Sequence, residues 1–296
     1  MKKKDLLLTF GNSEELQVDN SEISFNSYEQ LKKHVLSLNS SNEQWVFSGD
    51  FSNSDLPFSS IEKYVQNTEK RKTLLFSMLE EFQHTSPLFL QSSKLPFNKN
   101  TIEWLAVMHY YDVPTNILQW TNSPLIGIYQ SLNKKDFSTL TSKKSNYALY
   151  ALNKTAIFEI SRQILTKEKI KINTLKDIQS SSFSEQINSV LFENNINFIL
   201  PFNPLRKTLS FLAQQSSLTL VGNVNASFTE NLASIIIYAN KQKMEFPNGL
   251  FSKIVISSSM QQEIEEDCFQ MNITSRTLNP GIKGFAQSLT QYMNKF

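Results

Sequence analysis

Residues 105–132 read LAVMHYYDVPTNILQWTNSPLIGIYQSL, and the two prolines in this stretch set the local plan of the chain. Just upstream, Asn100 stands at an N-cap position with Glu103 at the capping-box spacing. Trp104, Leu105, Val107, Met108 and Tyr111 follow, giving a mostly apolar helix that is expected to be buried. Pro114 has no backbone N–H and its ring clashes with the preceding turn, so the helix runs no further than Val113. Ser123 followed by Pro124 opens the next helix, because a first-turn proline gives up only an N–H that has no partner there. The intervening residues read as the joint of a helix–turn–helix.

Working outward, Ser27–Leu38 carries an N-cap serine with Gln30 behind it and Leu31, Val35 and Leu38 on one helical face. The run QWVF at 44–47, ending at Gly49, suits a strand. Between Glu69 and Gln83, Leu74, Leu75, Met78, Leu79 and Phe82 recur at helical spacing with charges opposite. A Lys/Ser-rich linker is expected from Lys134 to Asn146. Strand-like runs then appear at 147–152, 197–201, 218–221, 234–239 and 253–257, followed by a helix around Met260–Met271, a short strand at Thr274–Leu278 and a terminal helix from Gly284 to Tyr292. Helices mainly early and strands mainly late predict an α+β class, one large domain with a mixed or antiparallel sheet and flanking helices. Within it, residues 1–43 are expected as a helical lead-in, 44–132 as a helical half and 146–296 as a strand-rich half.

Composition narrows the function classes. A net charge of +2 gives no electrostatic argument for nucleic acid or an anionic membrane. The single cysteine, Cys268, allows no internal disulfide and fits a cytoplasmic setting, and with three scattered histidines it makes no metal set. The opening MKKKDLLLTFGNSEEL predicts no signal peptide, and no window is long and apolar enough for a membrane span. Neither GxGxxG nor GxxxxGK occurs, which removes the glycine-rich phosphate cradles. The acidic cluster at Glu265, Glu266 and Asp267 reads as a solvated helix face, and Cys268 as a small buried hydrophobe.

Three stretches together resemble the FRG domain family, named for a Phe-Arg-Gly tripeptide on an early strand. WVFSGDF at 45–51 fits that strand, with Ser48 in place of the arginine. Residues 105–132 follow a family pattern that reads roughly Gln-His-Tyr-Gly-Leu-Pro-Thr-Arg-Leu-Leu-Asp-Trp-Thr and then Ser-Pro, with Pro114, Thr115, Leu118, Trp120, Thr121, Ser123 and Pro124 in register. LAQQSSLTLVGN at 212–223 resembles the family's Gln-Gln-Gly element. The departures fall on the polar positions: the Gln-His pair on His109 and Tyr110, the glycine on Asp112, the second arginine on Asn116 and the aspartate on Gln119.

The resemblance implies a fold distantly similar to the ADP-ribosyltransferases, in which an early-strand arginine and a Ser/Thr-rich strand grip NAD. Serine at 48 lacks the planar, charged fork that suits pyrophosphate. The expected reading is therefore a non-catalytic or weakly active module that binds a protein partner or a small nucleotide-like ligand, with self-assembly through exposed aromatics such as Phe51, Phe58, Phe89 and Phe97 as a further option. The setting implied by the family is bacterial phage defence or toxin control. The competing reading is an NAD- or nucleotide-using enzyme with an altered site. His109 and Tyr110 are its acid/base candidates, and Ser48, Thr115, Asn116, Gln119, Trp120, Arg206 and Gln214 its ligand contacts.

Overall fold

The computed structural model describes residues 2–9, 15–39, 43–50, 56–96, 100–132 and 146–293. The expected linker from 134 to 145, together with Phe51 and Phe97, lies outside them. Eight strands form one sheet: β1 Lys2–Thr9, β2 Glu15–Ser24, β3 Trp45–Asp50, β4 Ile117–Thr121, β5 Tyr147–Asn153, β6 Ile199–Phe202, β7 Ser216–Val221 and β8 Phe251–Ile256. Their order is β1-β2-β8-β5-β3-β4-β7-β6. β2 and β8 run parallel and every other neighbouring pair is antiparallel. The class is α+β with a mixed sheet, and the lead-in contributes two strands as well as helix α1, Tyr28–Leu38.

The helices follow from caps and stripes. Ser27 accepts the Gln30 N–H to start α1, whose Tyr28, Leu31, Val35 and Leu38 are buried. Short α2, Ser60–Tyr64, precedes α3, Thr68–Thr85. Asn100 caps α4, Thr101–Tyr110, and Pro124 opens α5, Pro124–Leu132. Next come α6, Lys154–Lys167, and α7, Ser181–Phe192, then α8, Leu209–Ala213, and α9, Phe228–Lys241. The chain closes with α10, Gln261–Gln270, α11, Ser275–Leu278, and α12, Ile282–Met293.

Three local expectations are corrected. Residues 234–239 belong to α9 and not to a strand: Ser227 and Glu230 form a reciprocal capping box, and Leu232, Ile235, Ile236 and Ala239 bury one helical stripe. Burial of that stripe overrides the strand preference of three consecutive isoleucines. Thr274–Leu278 is the one-turn α11, capped by Thr274, in place of a closing strand. Ile117–Thr121 is strand β4, paired with β7 from Ile117↔Leu220 to Thr121↔Ser216, and not the joint between two helices.

The apolar residues gather in three clusters. One contains Leu105, Met108, Ile117, Leu218 and Leu220, with α7 adding Ile187 and Leu191. A second contains Val46, Trp120, Tyr150, Phe228 and Phe251. The third holds Phe47, Leu149, Ile254 and the inner faces of α1, α5 and α10, including the fully buried Cys268. β3 and β4 sit between these clusters and share the single partner pair Phe47↔Thr121. The motif residues are thus carried on the seam of the sheet.

Candidate functional site

The chain enters the seam through the end of α4. Asp112 adopts φ +58°, its N–H bonds to the His109 carbonyl at 3.2 Å, and the Val113 N–H reaches the Met108 carbonyl at 3.0 Å. This is the 5→2 and 6→1 pairing of a Schellman stop, with Asp112 in the left-handed position that glycine takes most easily. Beyond Pro114, the backbone of Thr115 is clamped by α2. The Thr115 N–H donates to the Ser60 Oγ at 2.9 Å, and its carbonyl accepts from the Ile61 N–H at 3.1 Å. Asn116 is 1% exposed and donates through Nδ2 to the Val221 carbonyl at 2.7 Å, so it closes the end of the β4–β7 ladder. Trp120 is also buried, its Nε1 donating to the Thr219 Oγ1 at 2.9 Å beside the Phe228 ring.

On the opposite face of β4, Gln119 begins a network of neutral amides. Its Nε2 donates to the Gln214 Oε1 at 3.1 Å and to the Ser216 Oγ at 2.9 Å. Gln130 of α5 also donates to the Gln214 Oε1, at 3.4 Å. The Gln214 Nε2 in turn reaches the Leu278 carbonyl at 3.2 Å and the Asn279 Oδ1 at 2.9 Å. The Thr121 hydroxyl donates to the Gln214 carbonyl at 2.7 Å. Gln119 and Gln214, 95 residues apart, are brought together, while Gln130, Ser216 and Asn279 join them without any prior signal. Neutral amides at long separation leave no spacing in a sequence.

The early-strand tripeptide Phe47-Ser48-Gly49 divides by face. Phe47 is fully buried in the α5 cluster. A Cβ on Gly49 would strike the Gly127 carbonyl and the Ser131 N–H, so glycine is what lets α5 lie against β3. Ser48, half-buried and paired with Tyr150, points the other way. Since Phe47 and Thr121 are direct partners, Gln119 shares the Phe47 face and Ser48 does not.

Around α4, Glu103 is 4% exposed and accepts the Leu205 N–H at 3.1 and 3.0 Å through its two oxygens. Burial pushes its carboxyl above the usual range despite that hydrogen bond and the nearby Arg206 and Lys207 charges. Arg206 donates through Nε to the Leu95 carbonyl at 3.2 Å. Tyr110 packs edge-on against Phe211, and burial, with the Glu103 charge adding to it, pushes its phenol up. His109 is half-buried beside Tyr110, with ring centroids 6.4 Å apart. The buried Thr115 Oγ1, Asn116 Oδ1 and Tyr110 hydroxyl have no hydrogen-bond partner among the described residues.

Of the nine candidate residues, Gln119 meets Gln214, Asn116 and Trp120 cross β4–β7, Thr115 is held on α2, Arg206 bonds the Leu95 carbonyl, His109 and Tyr110 sit at the end of α4, and Ser48 lies on the Trp120 face, away from Gln119. Neither an arginine nor a lysine sits in the Gln119–Gln214 network, so those amides offer no charged fork to a dinucleotide pyrophosphate. Among the described residues no group of His, Cys, Asp or Glu has the arrangement to hold a metal ion, and no helix is long and apolar enough to cross a membrane. Residues 43–139 match the family model described as the FRG domain. No curated protein and no solved structure matches the chain.

Proposed function

With an FRG domain at residues 43–139 as the premise, we propose that this chain is a divergent, non-catalytic binding module of that domain type, which engages a protein partner in a bacterial conflict system such as phage defence or toxin control. The setting comes from the resemblance alone. One observation carries the rest: the side chains at the motif's polar positions are spent on internal joints, Asn116 on the Val221 carbonyl and Gln119 on Gln214 and Ser216. A side chain already committed to buried bonds gives a ligand nothing without first breaking them, and each broken buried bond costs on the order of 1–3 kcal/mol. The raised Tyr110 phenol stays protonated at neutral pH and gives no base.

The enzyme reading keeps one supporting observation, the unpartnered Thr115 Oγ1 and Asn116 Oδ1 at adjacent motif positions, which suit a hydroxyl-bearing ligand such as a ribose. Incubation of the purified chain with NAD, followed by chromatography of products, separates the two. The binding-module reading expects no nicotinamide release and no thermal shift with NAD or ADP-ribose. Turnover that disappears in His109→Ala overturns it.

A further inference from the structure

The last helix is seated with its apolar side outward. α12 packs on α11 through Gly284, where a Cβ would meet the Ser275 and Asn279 carbonyls. Ile282, Phe285 and Leu289, at the i, i+3, i+7 spacing of one helical face, are 81%, 42% and 49% exposed. An apolar stripe left in water at this spacing has the form of an interface that anchors a facing helix. The charged side chains of α11 and α12 are of one sign. The guanidinium of Arg276 lies 5.7 Å from the Phe285 ring centroid, Lys283 sits next to Ile282, and α11 and α12 contain neither Asp nor Glu.

This surface is joined to the motif strand by amides in series. Gln119 donates to Gln214, Gln214 to Asn279, and the Asn279 Nδ2 to the Gln287 Oε1 of α12 at 3.4 Å. We propose that the Ile282–Phe285–Leu289 face of α12 docks an acidic amphipathic helix of a partner protein, which deepens the binding-module reading and rests on it. A second copy of this chain is the poorer occupant, because a twofold pair sets two patches of the same positive sign against each other, with no Asp or Glu on α11 or α12 to offset Arg276 and Lys283. A lipid surface is poorer too: a helix lying in a membrane interface needs a Lys/Arg-rich polar face, whereas here Gln287 and Ser288 make hydrogen bonds inside the protein.

The experiment uses the full chain and two fluorescein-labelled stapled helical peptides with Leu at i, i+3 and i+7, one flanked by Glu and one by Lys. Anisotropy is expected to give saturable binding of the Glu peptide, with Phe285→Ser and Leu289→Ser each weakening it at least about tenfold. Lys283→Glu should shift preference toward the Lys peptide. All three sites are exposed, and unchanged melting temperatures establish that the variants fold. Equal binding of both peptides, or binding that survives Phe285→Ser, overturns the proposal. So does Phe285-dependent dimerisation in sedimentation, or Phe285-dependent capture on phosphatidylserine vesicles. NAD turnover by the intact chain removes the binding-module reading, while a failed peptide without turnover removes this surface alone.

Discussion

The motif strand and the helix ends that surround it handle polarity in opposite ways. β4 and its neighbours carry neutral groups, with Asn116, Gln119, Gln130, Gln214 and Ser216 bonded to each other or to backbone. Two carboxylates lie outside that network, at chain joints, Glu103 buried and Glu62 half-buried. Glu62 accepts the Ser59 N–H at 2.9 Å, the Ser59 hydroxyl at 2.7 Å and the Phe228 N–H at 3.1 Å, tying the start of α2 to the start of α9. Glu103 does the same for α4 and the turn at Leu205. Both carboxylates face backbone donors, whereas no charged side chain sits among the bonded amides around Gln119 and Gln214.

The sharpest way to break that contrast is to return a cation to the strand. Asn116→Arg places a longer, charged side chain at a position 1% exposed, whose present occupant already bonds the Val221 carbonyl. Overpacking and an unpaired buried charge together cost about 4 kcal/mol or more. The expected outcome in urea unfolding is a protein close to its stability limit or insoluble. Wild-type stability in this variant, with anion binding, would return the site to ligand chemistry.

The carboxylate side of the contrast gives the next largest effect. Glu62→Ala leaves the Ser59 and Phe228 donors unsatisfied, and Glu103→Ala does so for Leu205, each costing about 2–4 kcal/mol by denaturant midpoint. Burial raises both carboxyls above their ordinary 4.5 in the folded protein, so the folded state binds more protons than the unfolded chain in the window just above 4.5. Their contribution is therefore full below 4.5 and falls as pH rises through the raised values. Stability measured across that window should decline with pH, and Glu62→Gln with Glu103→Gln should flatten the decline.

The sequence made these two regions unequally legible. Helices α1, α4 and α5 announced themselves through Ser27, Asn100, Pro114 and Pro124, because caps and breakers act within one turn, and α3 through the helical spacing of Leu75, Met78, Leu79 and Phe82. α9 was hidden by its own isoleucines, although Ser227 and Glu230 supplied the capping-box signal. β4 was hidden because a five-residue run between two helices has too little periodicity to declare its partner, which lies on β7 about a hundred residues away. In the site, the motif stretches contained Gln119 and Gln214 but gave no sign that the two meet, and Gln130, Ser216 and Asn279 join them from other elements with no common spacing. The tripeptide is half legible in the same sense: packing explains Phe47 and Gly49, and neither constrains what stands between them.

That gap gives the mildest test. Ser48 is half-buried beside the buried rings of Trp120 and Tyr150, so an arginine there crowds them before its head reaches water. Ser48→Arg should therefore cost about 1–3 kcal/mol. The charge it restores points away from Gln119, because Phe47 and Thr121 are partners and side chains alternate along each strand. Meanwhile the face it joins is filled by Trp120, Tyr150, Phe228 and Phe251. NAD or ADP-ribose should then leave the variant's own melting temperature unchanged within error. A ligand-dependent shift in this variant alone would mean that the absence of a cation at position 48, and not the committed amides, is what keeps this chain from binding a nucleotide.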